Sequence, residues 1–287
     1  MILVTGATGR VGGHLTRQLL EAGQPVRILT RSADKASRWK GEAEIVEGDL
    51  DDPRAVHSAM QGVDRFFLVT SSTSQDANVL AAAKESGASH VVKLSTLEAV
   101  DPSMAEHVKW HRQREQMIED SGLAWTFLRP TMFMSTALDW VDTIRREGVF
   151  HFPAGDGKVP AVDPYDVAAA AAAALTERGH EGHAYALTGP EALSFTEMAE
   201  ILSDVLGRPV SYISVPVEMT GAQMRRAGLP GYVVAGLMGT FKALQEGKVA
   251  ACSEDIARVT GRPPRTFRTW CEANRSAFLE EPTVPAP

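Results

Sequence analysis

Cysteine is scarce in this 287-residue chain: Cys252 and Cys271 are the only two, and no C-x-x-C spacing occurs. That excludes a zinc or dithiol framework. Two thiols in so long a chain point to a reducing compartment, with a Cys252–Cys271 pair as the alternative for an exported protein. An excess of positive charge is also missing: 29 Lys and Arg against 36 Asp and Glu give a net charge of -7. Nucleic-acid binders neutralise phosphates with Lys and Arg, so duplex DNA or RNA is not an expected partner. A single anionic cofactor needs only a local positive site. Long apolar runs are absent too. The longest stretch of low polarity, Val167–Leu175, holds seven alanines, Ala168–Ala174, far short of the roughly 20 residues that span a membrane. It reads as a thin helix packed tightly on a neighbour. Ile2-Leu3-Val4 runs straight into Thr5-Gly6, leaving no basic region and no apolar region of signal-peptide length, so a cytoplasmic protein is expected.

What is present is ordinary for a globular chain, 44% hydrophobic and 23% charged. Apolar runs at Ile2–Val4, Val26–Leu29, Glu44–Val46, Phe66–Val69, His90–Leu94 and Trp125–Leu128 read as buried strands. Helical patterns lie between them at Val11–Ala22, Ala33–Trp39, Ala55–Met60, Asn78–Glu85 and Glu106–Asp120. Strand and helix alternate without hairpin turns, which predicts an α/β fold: a doubly wound parallel Rossmann sheet with helices on both faces. After Pro130 the rhythm breaks. Scattered strands (Val149–Phe152, Val159–Val162, Ala184–Leu187, Val210–Ile213) mix with helices at Ser194–Leu206, Glu218–Ala227 and Val233–Gln245. The expected division is a dinucleotide-binding core over 1–131 and a smaller, mainly substrate-binding portion over 132–287, with some segments returning to the core.

Between the first strand and the first helix lies Thr5-Gly6-Ala7-Thr8-Gly9-Arg10-Val11-Gly12. A pyrophosphate needs backbone N–H groups aimed at it, a helix N-terminus behind it and no side chain in the way. Gly6 permits the tight turn, Gly9 the close approach and Gly12 the packing of helix on sheet. The spacing is G-x-x-G-x-x-G. With Val26–Arg31, Gly48-Asp49-Leu50 and Ser121–Pro130 (SGLAWTFLRP), it resembles the short-chain dehydrogenase/reductase superfamily, and more specifically its atypical NmrA-like branch. That branch includes NADPH-dependent quinone reductases and redox-sensing regulators.

The second strand ends in Thr30-Arg31-Ser32, 19 residues from Gly12 to Arg31, where an NAD-selecting enzyme places a carboxylate. Arg31 offers a charged fork and Ser32 a hydroxyl to a 2′-phosphate, so NADPH/NADP+ is the expected cofactor. The alternative for Arg31 is a solvated surface arginine. Arg10 is a candidate second phosphate contact. The resemblance further implies that Asp49 and Leu50 flank the adenine and that Thr70 and Ser71 lie beside the cofactor. Asp49 reads equally as a helix cap.

Relatives of this type use a Ser and a Y-x-x-x-K pair, and extended ones often carry a Glu four residues after the Lys. Ser95 ends the fifth strand, where the family serine is expected. Counting back from Glu115 puts His111 at the lysine position and His107 at the tyrosine position. No Y-x-x-x-K occurs, and Tyr165, Tyr185, Tyr212 and Tyr232 are all remote in sequence. His107 and His111 are candidate acids, with solvated or structural histidines as the alternative. H-x-x-x-H lacks the Glu of a metalloprotease and any obvious third ligand, so no metal is expected.

Met132, Phe133, Met134 and Trp140 follow Pro130, where the branch begins its substrate side. They suit a large aromatic ligand, or serve simply as core. The expected function is an enzyme, an NADPH-dependent reductase. It passes hydride to a carbonyl of a quinone or an aromatic, polyketide-like ketone, as a monomer or homodimer. The alternative is a non-catalytic NADP(H)-binding redox sensor acting through a protein partner, which the missing Tyr-Lys pair favours and the modest length disfavours. A substrate with a phenol beside its ketone would carry its own hydrogen bond and need little acid from the protein.

Overall fold

The computed structural model describes residues 1–97 and 106–279, the side chains of 106–109 excepted. The first half builds β1 (Ile2–Thr5), α1 (Arg10–Glu21), β2 (Val26–Thr30), β3 (Glu44–Glu47), α2 (Pro53–Met60), β4 (Arg65–Leu68), α3 (Thr73–Ser86), β5 (His90–Leu94), α4 (Glu106–Glu119) and β6 (Ala124–Pro130). There follow α5 (Val141–Glu147), β7 (Val149–Phe152), β8 (Lys158–Val159), α6 (Pro164–Thr176), β9 (His183–Leu187), β10 (Leu193–Ser194), α7 (Phe195–Leu206) and β11 (Ser211–Ser214). Helices α8 (Val217–Arg226), α9 (Gly231–Gln245), α10 (Asp255–Thr260), α11 (Phe267–Ala273) and α12 (Arg275–Leu279) complete the described chain.

Seven strands form one parallel sheet in the order β3-β2-β1-β4-β5-β6-β9. This is the Rossmann-like α/β architecture. Alternate strand residues face opposite layers, so a sheet covered on both sides needs nearly continuous apolar strands. Ile2, Val4, Ile28, Phe67, Val92 and Leu128 pack with α1 and α6. Leu3, Leu29, Phe66, Leu68, Val91 and Phe127 pack with α2, α3 and α4. The order reverses at β1, which lies between β2 and β4, and open sheets of this kind bind ligands at such a reversal, beyond the carboxyl ends of the strands.

The alanine run lies on α6, where six of its seven alanines are buried and the helix packs directly on α1. A second core lies off the carboxyl edge of the sheet. Trp140 stacks on Phe150 with ring centroids 4.1 Å apart, and Phe152 stacks on Phe195 at 4.5 Å. Strand β7 pairs in parallel with β11, and β8 in antiparallel with β10.

Some expected boundaries move for local reasons. Ala33–Trp39 is a 3-10 segment, Asp34–Trp39. Helix α3 starts five residues before Asn78, because the Ser72 hydroxyl accepts the Gln75 N–H and caps it there. The Val159–Val162 strand ends at Val159, since Pro160 has no N–H to continue a ladder. Both cysteines are free thiols, Cys252 exposed and Cys271 buried. No helix among the described residues is long and apolar enough to cross a membrane.

His90 sits 2% exposed on β5. Thr126 donates its hydroxyl proton to the His180 carbonyl at 2.7 Å and therefore accepts from His90 Nε2 at 2.9 Å. Nδ1 is buried without a partner. Protonating it would bury an unanswered charge, and desolvation pushes the imidazole down from 6.5 to about 4. The unfolded chain therefore takes up a proton that the native state refuses, and stability is lost as pH falls from 6.5 towards 4. Urea titrations between pH 7 and 4 are expected to show that loss in the wild type and a shallower one in His90→Gln.

Candidate active site

Helix α1 begins with Gly9 as its cap, no capping side chain and no acidic residue in its first turn. Its N-terminal N–H groups therefore face outward without a built-in anion. Gly9 N–H donates to the Gly6 carbonyl at 2.9 Å, and Gly6 has φ +68°, a left-handed conformation suited to glycine. Gly12 is the tightest point. A Cβ there would lie 2.2 Å from the Gly6 carbonyl oxygen, so only glycine lets the helix approach the turn so closely.

The turn opens onto a groove of about 330 Å³ along the ends of β1 to β4. Gly6, Ala7 and Thr8 form one side, Asp49 and Leu50 another, and Thr70 and Ser71 a third. The β2 end carries Arg31, Ser32 and Lys35. Two exposed cations at that end, with glycine backbone at the other, match the phosphates of a dinucleotide. Gly9, Val11 and Gly12 shape the turn without lining the groove, and Val11 is core. Asp49 accepts the Asp51 N–H at 3.0 Å. The cap of α2 is Asp52, which accepts from Arg54 N, so the capping alternative for Asp49 is corrected by three residues.

Arg10 points away from the groove. Its guanidinium bonds Ser135 Oγ at 3.3 Å and Asp139 Oδ1 at 3.1 Å, on the 3-10 segment Met134–Trp140. In this arrangement it does not line the groove.

Thr70 stands on a buried ionic cluster. Its hydroxyl donates to Asp76 Oδ1 at 2.6 Å and accepts from Lys93 Nζ at 2.8 Å and from Arg114. Lys93 also reaches Asp76 at 3.2 Å, and Arg114 pairs with the same carboxylate. One proton and two lone pairs are thus all used, so Thr70 meets the groove with its methyl group and backbone only.

Ser95 is spoken for as well. It donates to Glu115 Oε1 at 2.7 Å, and Arg129 clamps the same carboxylate through two bonds of 2.9 and 2.8 Å. The only hydroxyl proton of Ser95 is thus directed inward, to Glu115. His111 packs edge-on to Trp110, whose other neighbour is the Arg114 guanidinium at 4.2 Å. It does not line the groove. The His107 side chain lies outside the described residues.

A cavity of about 430 Å³ opens beyond the carboxyl end of β6. Thr96, Thr131, Met132, Thr136 and Asp139 give its polar side, and Phe152, Met224, Leu237, Phe241 and Leu244 its apolar side. Of the four residues expected there, Met132 lines it. Met134 and Trp140 are 1% and 5% exposed in the second core, and Phe133 packs on the main sheet's core. For Met134 and Trp140 the core reading holds, because their faces are filled by protein; Phe133 is partly buried. Sequence reasoning missed Lys35, which the 3-10 segment Asp34–Trp39 brings to the groove beside Arg31, and the α9 stripe Leu237, Phe241, Leu244. The stripe follows helical spacing that a closer periodicity count would have exposed.

Gly12→Ala is expected to lower unfolding free energy by about 1–3 kcal/mol. Gly9→Ala, whose Cβ would meet only the Gly6 carbonyl at 3.2 Å, is expected to cost less. Urea denaturation of the two variants measures the difference.

Comparison with known proteins agrees along the length of the chain. Residues 1–268 match the NmrA-like family. The (4-alkanoyl-5-oxo-2,5-dihydrofuran-3-yl)methyl phosphate reductase of Streptomyces griseus is 41% identical over 284 residues, covering 98% of this chain and 100% of the relative. The NAD(P)H azoreductase of Xenophilus azovorans is 37% identical, covering 97% and 99%. The NADPH-dependent quinone oxidoreductase of Escherichia coli, solved with NADPH, superposes with a TM-score of 0.83 at 30% identity, covering 95% of this chain and 99% of that one. From this match and these identities, the chain belongs to the NmrA-like family.

Proposed function

We propose that this protein is an NADPH-dependent reductase that transfers hydride to a carbonyl carbon of a quinone or an aromatic ketone. The observation that carries the reading is the pairing, along one sheet edge, of a groove ending in Arg31 and Lys35 with a largely apolar cavity at β6. The related reductases of a furanone phosphate, of azo compounds and of quinones support the same reaction class.

When bound, the dinucleotide supplies the hydride. The protein's own groups bind and orient. Gly6, Ala7 and Thr8, with the N-terminus of α1 behind them, would present backbone N–H groups to the pyrophosphate. Arg31 and Lys35, with Ser32, hold the 2′-phosphate. Met132, Phe152 and Phe241 would exclude water from the face of a flat substrate, and Thr131 and Asp139 offer polar contacts at its edge. No tyrosine hydroxyl supplies the proton at Ser95, whose own proton is committed to Glu115. A substrate whose phenol already bonds its ketone oxygen needs no such donor.

Two measurements check this reading. Arg31→Ala is expected to weaken NADPH binding by about 1.5–3 kcal/mol and to leave NADH almost unchanged; Lys35→Ala should act in the same direction. Calorimetric affinities of the unaltered protein that are equal for both cofactors would overturn the assignment. Turnover is expected to be faster on an ortho-hydroxy aromatic ketone than on its matched ketone lacking the hydroxyl, with only modest losses in Ser95→Ala and His107→Phe. Equal rates on the two ketones, together with collapse in His107→Phe, would make His107 the acid. Tight NADPH binding without turnover of any quinone or ketone would leave a sensor instead of an enzyme.

A further inference from the structure

Behind the groove, on the side of the sheet covered by α3 and α4, two buried cations stand against a single carboxylate. Lys93 and Arg114 are 2% and 1% exposed and share one fully buried carboxylate, Asp76. The neighbouring carboxylate, Glu115, is also fully buried and is taken by Arg129 at 2.8 Å. Lys93 and Arg114 thus share one carboxylate, while Glu115 is taken by two partly exposed arginines, Arg129 and Arg112. Burying a charge is costly unless it is paired. Methionine would fill the space of Lys93 at no such cost, so the sequence retains an expensive cation here.

What lies above that cation is Thr70, whose hydroxyl Lys93 holds at 2.8 Å and whose outer side forms the groove beside Gly6, Ala7 and Thr8. A β-branched side chain has few rotamers, and three bonds to its hydroxyl leave Thr70 one. We infer that Lys93 is a positioning residue for the phosphates of the dinucleotide, acting through Thr70 and through its own charge beneath the groove, which it and Arg114 balance with the one carboxylate of Asp76. The inference rests on the NADPH reading above and extends it to a residue that touches no ligand.

The groups facing Lys93 are Asp76 from α3, Arg114 and Glu115 from α4, and Thr70 at the end of β4; Arg129 from β6 stands behind Glu115. Desolvation is the largest influence and lowers the ammonium to about 8, with Asp76 acting in the opposite direction and Arg114 in the same one. An anion in the groove favours the charged form. By linkage, affinity is complete below the pKa of the free protein and falls as pH rises through it.

The test is NADPH binding, measured by fluorescence or calorimetry from pH 6.5 to 9.5, with urea denaturation as the check on folding. The wild-type Kd is expected to be flat below pH 7 and to rise roughly tenfold by pH 9.5, as loss of one nearby charge at an intermediate dielectric implies. Lys93→Met is expected to bind about tenfold more weakly at pH 7 with a flat profile. Lys93→Arg keeps the charge without titrating and is expected to retain affinity while losing the pH step. A structural role alone would not remove that step. A folded Lys93→Met protein with wild-type affinity overturns the inference. If that variant does not fold, a flat wild-type profile does so on its own. Failure of the wild type to bind NADPH at any pH would instead sink the cofactor assignment, and the inference with it.

Discussion

The contact between the Gly6 carbonyl and the Cα of Gly12 sets the distance on which the rest of the cofactor side depends. With less than the width of a methyl group to spare there, the axis of α1 is brought against the end of β1. The helix then points its uncapped N-terminus past the turn, at the place where β1 parts its two neighbours, β2 and β4. Groups of three elements that share no local sequence converge there: the turn backbone, the Arg31–Lys35 segment and the Thr70-Ser71 step. A side chain at position 12 would tilt the helix and separate them.

Polar chemistry on the opposite layer runs inward. Thr70 and Ser95 end neighbouring strands, and both give their hydroxyl protons to buried carboxylates, Asp76 and Glu115. Those carboxylates are in turn fixed by Lys93, Arg114 and Arg129. This interior network uses its hydrogen bonds to hold strand ends still and leaves few for a ligand. Recognition then falls to backbone N–H groups, to exposed cations at β2 and to apolar surface from α9. This division of labour fits chemistry that depends on placing one hydride donor against one electrophilic carbon.

Much of the fold was legible because its signals are local. Gly6, Gly9 and Gly12 mark a turn whose spacing speaks directly of geometry, and the apolar runs of β1 to β6 record burial on both faces. Arg31 was legible because it follows a strand at a fixed distance from the turn, and the groove does include it. The substrate side was not legible in the same way. Met134 and Trp140 have the composition of a binding surface, yet both are interior: Trp140 stacks on Phe150 and leans on Phe195, and Met134 packs in the same core; only tertiary neighbours distinguish the two uses of such residues. The partners that Arg10 takes, Ser135 and Asp139, lie more than 120 positions away and leave no mark in local spacing. The commitment of Ser95 to Glu115 likewise depends on how α4 sits on β5 and β6, which no spacing records.

Helix α6 has a consequence for how the chain is made. It comes from residues 164–176, yet it covers the same face of the sheet as α1 and closes the core containing Val4, Leu15 and Phe67. Strand β9 adds the last edge later still. A growing chain that has delivered only β1 to β6 therefore emerges with that apolar face only partly covered, by α1, and it stays so until the alanine helix arrives. Because alanine gives up no rotamer freedom on burial, that late layer docks at little entropic cost. The nascent first half waits for a lid that is inexpensive to order, and until then its open face is what a ribosome-associated chaperone would meet.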